Sequence, residues 1–137
     1  MKEETKEWLQ YADENLKSAT ILLESFLFNP SLQNAQQSIE KNIKAYFVEK
    51  GFKLQKTHNI LTLVQILNKN NIFLMIDEDE IDLIDAIYLS SKYPFGSVLP
   101  DFEPDENICL KCINIAERVE EDILNYLKKT TVTSLSK

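Results

Sequence analysis

The chain has 137 residues, 44% of them hydrophobic, with two glycines, four prolines and a formal net charge of −7. That size and apolar share give one domain with a core of its own and exclude a disordered chain, while the scarcity of glycine and proline excludes a turn-rich sandwich or barrel. The acid excess, with Arg118 the one arginine among 15 basic residues, argues against a broad nucleic-acid-binding face, which needs clustered cations to displace counterions from phosphates.

The first predicted helix runs from about Glu3 to Phe26. Trp8, Tyr11, Ala12, Leu16, Ala19, Leu22, Leu23 and Phe26 recur there at three-and-four spacing and form an inward stripe. Asn29-Pro30-Ser31 then breaks the chain, and Ser31 is the expected N-cap of a second helix that ends at Gly51. Its inward face holds Leu32, Ala35, Ile39, Ile43, Tyr46 and Phe47. Thr57 is the expected cap of a third helix burying Ile60, Leu61, Val64 and Leu67, which ends in the turn-prone run Asn68-Lys69-Asn70-Asn71. Asp77-Glu78-Asp79-Glu80 reads as the start of a fourth helix, with Asp77 as cap and Glu80 completing a capping box. Ile81, Ile84, Ile87 and Tyr88 carry that helix inward. From Ser90 to Pro104 the prolines forbid a continuous helix. A last helix from about Pro104 to Lys129 buries Ile108, Cys112, Ile115, Ala116, Val119, Ile123, Tyr126 and Leu127. The expectation is an all-α, up-and-down bundle of about five helices over residues 1–129, followed by a frayed polar tail over 130–137.

The inventory excludes several chemistries. One histidine, His58, cannot seed a histidine-rich metal cluster, and Cys109-x-x-Cys112 is half a zinc site placed on a helix. Neither glycine belongs to a phosphate loop, so no metal and no cofactor is expected. No signal peptide or membrane-spanning run is visible, and a cytoplasmic setting without disulfides follows as an expectation. Candidate binding residues are Lys41 and Lys44 on the second helix, His58 at the start of the third, and Lys92 with Tyr93 after the fourth. Backbone N–H groups at the start of the third helix add an expected anion site beside His58. Phe26, Leu27, Phe28, Phe95, Val98, Leu99 and Phe102 exceed what the core stripes need and mark either an interface or loop residues folded over the bundle.

The ordered fragments Trp8, Ala12, Leu16 and Ala19, then Gln36-Gln37, Glu40-Lys41 and Lys44-Ala45, then Thr57-His58 with Leu61, then Tyr88 to Pro94, resemble the HEPN family. The resemblance implies a helical bundle of the type that serves as the substrate-binding subunit of nucleotidyltransferases. It also implies a homodimer and partnership with a minimal nucleotidyltransferase in toxin–antitoxin-like or nucleotide-handling systems. Ribonuclease members carry an Arg-x4–6-His motif, in which arginine clamps the phosphate and histidine assists attack by the 2′-hydroxyl. Here no arginine precedes His58 at that distance, and Lys53 stands there instead; Lys92-Tyr93-Pro94 stands where relatives show Arg-Tyr-Pro. The reading is a non-catalytic module that binds a nucleotide or a nucleotidyltransferase. The alternative is a metal-independent ribonuclease toxin using His58 with Lys53.

Overall fold

A computed structural model describes the backbone of residues 1–93 and 103–135, with side chains as far as Lys129. The described residues form five helices: α1 (Glu3–Glu24), α2 (Phe28–Lys50), α3 (Ile60–Lys69), α4 (Glu78–Ser90) and α5 (Glu106–Leu135). Among the described residues there is no strand, so the all-α expectation holds. No helix there is long and apolar enough to cross a membrane.

α1 and α2 form an antiparallel hairpin with the largest contact among the described helices, and α2 also packs on α5 and α4. Lys2 and Thr5 at the start of α1 both reach Glu49 at the end of α2, through a backbone N–H at 3.0 Å and a hydroxyl at 2.9 Å. At the other end of the hairpin, Phe26 takes the left-handed conformation at φ 60° and turns its side chain into solvent. Tyr11 is also exposed, so the inward stripe of α1 narrows to Ala12, Leu16 and Ala19 with Thr5.

Ser31 does not cap α2. The helix begins one turn earlier, at Phe28, because proline in a first turn gives up only an N–H that has no intrahelical partner. Ser31 lies inside the helix instead, and its buried hydroxyl donates to the Ala19 carbonyl at 2.8 Å, stitching α2 to α1. Gly51 ends α2 as expected, in the left-handed conformation at φ 71°. The Phe52 N–H closes back onto Phe47 O at 2.9 Å.

α3 is capped by Asn59 rather than Thr57: the Asn59 side chain accepts from the Thr62 N–H at 3.0 Å, while Thr57 Oγ1 accepts from the Asn59 N–H. With the helix starting at Ile60, the buried set is Ile60, Leu63, Val64 and Leu67, and Leu61 points outward. The Asp77–Glu80 capping box of α4 forms in both directions. Asp105 caps α5, accepting from the Ile108 N–H at 2.8 Å. The expected tail over 130–137 is helical as far as Leu135. Phe95, Val98, Leu99 and Phe102, and most of the segment between Ser90 and Pro104, lie outside the described residues.

The core gathers the isoleucines and leucines of all five helices around Ile39, Ile43 and Phe47 of α2. Cys109 and Cys112 belong to it as free, buried thiols, and no metal-binding cluster exists among the described residues.

Candidate functional site

The site grows from a position that an amphipathic helix would not bury. Glu40 is 3% exposed on α2, and its carboxylate collects three partners. Lys44, one turn on, lies 2.9 Å from Oε2. Gln36, one turn back, donates to Oε1 at 3.3 Å. His58, from the segment leading into α3, places Nδ1 3.0 Å from Oε1 and 3.1 Å from Oε2. A carboxylate can only accept, so Nδ1 carries the proton in this contact. Nε2 is thereby turned away from Glu40 and kept free in the neutral ring.

The imidazole is half exposed and stacks on Tyr88 of α4, with centroids 4.7 Å apart and planes 23° off parallel. Beside the stack opens a cleft of about 190 Å³ lined by Thr57, His58, Asn59, Asp85, Tyr88 and Leu89. Asp85 fixes the floor: its two oxygens accept from the N–H groups of Ile60 at 2.7 Å and Leu61 at 3.2 Å. Burial pushes its carboxyl above the usual aspartate range, and those two N–H bonds pull the other way. The expected anion site at the start of α3 is therefore closed, because Asp85 and Asn59 already take the Ile60, Leu61 and Thr62 donors.

Lys44 and His58 thus share one buried carboxylate. Lys92, just past the end of α4, has Nζ 5.9 Å from the Tyr88 ring centre and does not itself line the cleft. Tyr93 is described and exposed, its N–H held by Leu89 O. Lys41 is taken elsewhere: it donates to Asn15 at 2.8 Å and lies over the Tyr11 ring of α1. Lys41 and Lys44 do not share a face, because Lys44 turns back to Glu40 while Lys41 covers the α1–α2 seam. Lys53 is exposed on the segment after α2 and does not line the cleft. Arg118 is bound on α5 to both carboxylate oxygens of Glu80 and, at 2.8 Å, to Met75 O.

Glu40, Gln36, Asp85 and Tyr88 were not among the candidate binding residues read from the sequence. The i,i+4 spacing of Glu40 with Gln36 and Lys44 was the available signal; nothing local announces that Asp85 will cap a different helix.

The fold and this polar seam define a HEPN-type helical domain. The HEPN domain model matches residues 5–126, and the chain belongs to the HEPN domain family. Two solved structures share the fold. The TT1696 protein from Thermus thermophilus has 21% identity and a TM-score of 0.64, the match covering 90% of this chain and 98% of that one. ST0689, an archaeal HEPN homologue, has 19% identity and a TM-score of 0.61, covering 92% and 98%. No curated protein matches the chain.

Proposed function

We propose that this HEPN domain is a non-catalytic, homodimeric module that binds a nucleotide in the His58 cleft and works beside a minimal nucleotidyltransferase, in a toxin–antitoxin-like pair. The observation that supports it is the fixed imidazole: buried Glu40 holds Nδ1, and Nε2 is left to an open cleft with an aromatic wall. A nucleobase amine can donate to Nε2 or to Asp85, and Lys92, with Nζ 5.9 Å from the Tyr88 ring centre, is the cation we assign to a phosphate. Thermal unfolding with ATP, GTP and their mononucleotides tests this, since a ligand that binds only the native state raises the melting temperature. A saturable rise lost in His58→Ala and reduced in Lys92→Ala is expected. An unchanged melting temperature at millimolar nucleotide would overturn it.

A second reading, a metal-independent ribonuclease, is favoured by the same carboxylate–imidazole contact, which leaves Nε2 able to take a proton from a 2′-hydroxyl. It lacks the phosphate clamp: Lys53 does not line the cleft, and Arg118 is committed to Glu80 and Met75. RNA cleavage by the purified protein, abolished in His58→Ala, would establish it over the first reading.

A further inference from the structure

Between α3 and α4 residues 72–76 are neither helix nor strand and bend at Met75, where the Ile76 N–H closes onto Leu74 O at 2.9 Å, and three side chains of α5 hold the segment in place. Tyr126 OH lies 3.3 Å from both Phe73 N and Phe73 O, Asp122 accepts from the Met75 N–H at 2.7 Å, and Arg118 donates to Met75 O at 2.8 Å. These residues are spaced by four along one helix, so they form a row of anchors under the segment. Burial alternates along it: Ile72, Leu74 and Ile76 pack on the core, while Phe73 and Met75 face solvent at 60% and 67% exposure. Two large apolar side chains are thus displayed on a backbone that is pinned rather than loose.

The charge around them is one-sided at the Met75 end. Asp77, Glu78 and Asp79 follow directly and are exposed, and Glu121 is exposed beside Asp122. Of the cations here, Arg118 is paired with Glu80, and Lys111 also acts on that carboxylate. At the Phe73 end Lys129 lies over the Tyr126 ring at 5.3 Å.

We propose that the 72–76 strip is a docking surface for another polypeptide, one that lays apolar side chains on Phe73 and Met75 and sets lysine or arginine against Asp77–Asp79. A second copy of this chain is the poorer occupant of this strip, because a copy docked here through its own strip would set Asp77–Asp79 against the same acids. The strip sits at the far end of α3 and α4 from the His58 cleft, so the inference does not rest on nucleotide binding.

The test is an NMR titration of the labelled full chain with a synthetic peptide alternating leucine and lysine, and with the same peptide carrying glutamate for lysine. Phe73→Ser/Met75→Ser serves as control; both side chains are exposed, so an unchanged melting temperature is expected. Saturable shifts confined to residues 72–79 with the lysine peptide are expected, weakening as salt rises. Affinity should fall about tenfold or more in the double variant, as for apolar anchors at an interface centre. Shifts mapping elsewhere, equal binding by the variant, or equal binding of the glutamate peptide would overturn the proposal. So would a wild-type dimer that becomes monomeric in the variant by sedimentation, since a second copy would then be the occupant.

Discussion

Glu40 Oε2 and Lys44 Nζ meet at 2.9 Å with side chains only 4% and 7% exposed, and the same carboxylate also holds His58. Removing the anion would strand a buried ammonium and release the imidazole together. Glu40→Ala is expected to cost about 3–5 kcal/mol, the range for breaking one side of a buried ion pair. Lys44→Met should cost less, because the anion keeps Gln36 and His58. Urea unfolding of the two variants checks the order, and equal losses would show that the pair is not the seat of the effect.

Glu80 has a double duty, closing the α4 capping box and binding Arg118. The Arg118 guanidinium holds its carboxyl below the ordinary value of 4.5, against the opposing effect of burial. A lowered carboxylate contributes stability that is complete above 4.5 and lost as pH falls through the lowered value. Glu80→Gln is expected to cost about 1–3 kcal/mol at neutral pH. Its stability should fall less steeply than wild type on acidification, as read from melting temperatures across that window.

Asp85 titrates in the opposite sense. Burial raises its carboxyl above 3.8, so its contribution is complete below that value and declines as pH rises through the raised one. Asp85→Ala leaves the Ile60 and Leu61 donors without their acceptor and should cost about 1–2 kcal/mol. Asp85→Asn keeps one acceptor and removes the titration, so its stability should lack that decline. Parallel pH profiles for wild type and Asp85→Asn would refute this account.

The two cysteines are expected to be inert in the native state. Burial, with Cys109 beside it, pushes the Cys112 thiol up to about 12, and burial raises Cys109 as well. Thiolate is the reactive form, so a disulfide reagent at mildly alkaline pH should label both only at the rate of unfolding. Rapid labelling of the folded protein at either position would contradict the packing described.

The helices were legible because their apolar periodicity is strong and their stops are chemical: Gly51 must end α2 and Asp77 must begin α4. Boundaries failed where a residue type fits two roles. Ser31 reads as a cap by its hydroxyl, yet Pro30 is tolerated in a first turn and the hydroxyl serves Ala19 instead. Thr57 and Asn59 are both capping types, and only Asn59 reaches Thr62. His58 could be singled out as the lone imidazole, but its partner could not. A glutamate followed by lysines at 41 and 44 does not announce that the segment before α3 will bring His58 onto it. Lys41 and Lys44 looked equivalent because sequence spacing does not say which neighbour covers each flank of α2.

That helix has buried residues on almost every side, polar ones included: Gln36, Ser38, Glu40, Asn42 and Lys44 are closed off along with Ile39 and Ile43. An element enclosed in this way has no neutral face on which substitutions can accumulate. Substitutions in such a chain are accommodated on the outer flanks of α1 and α5, while almost any change of side-chain volume in α2 meets a packed neighbour.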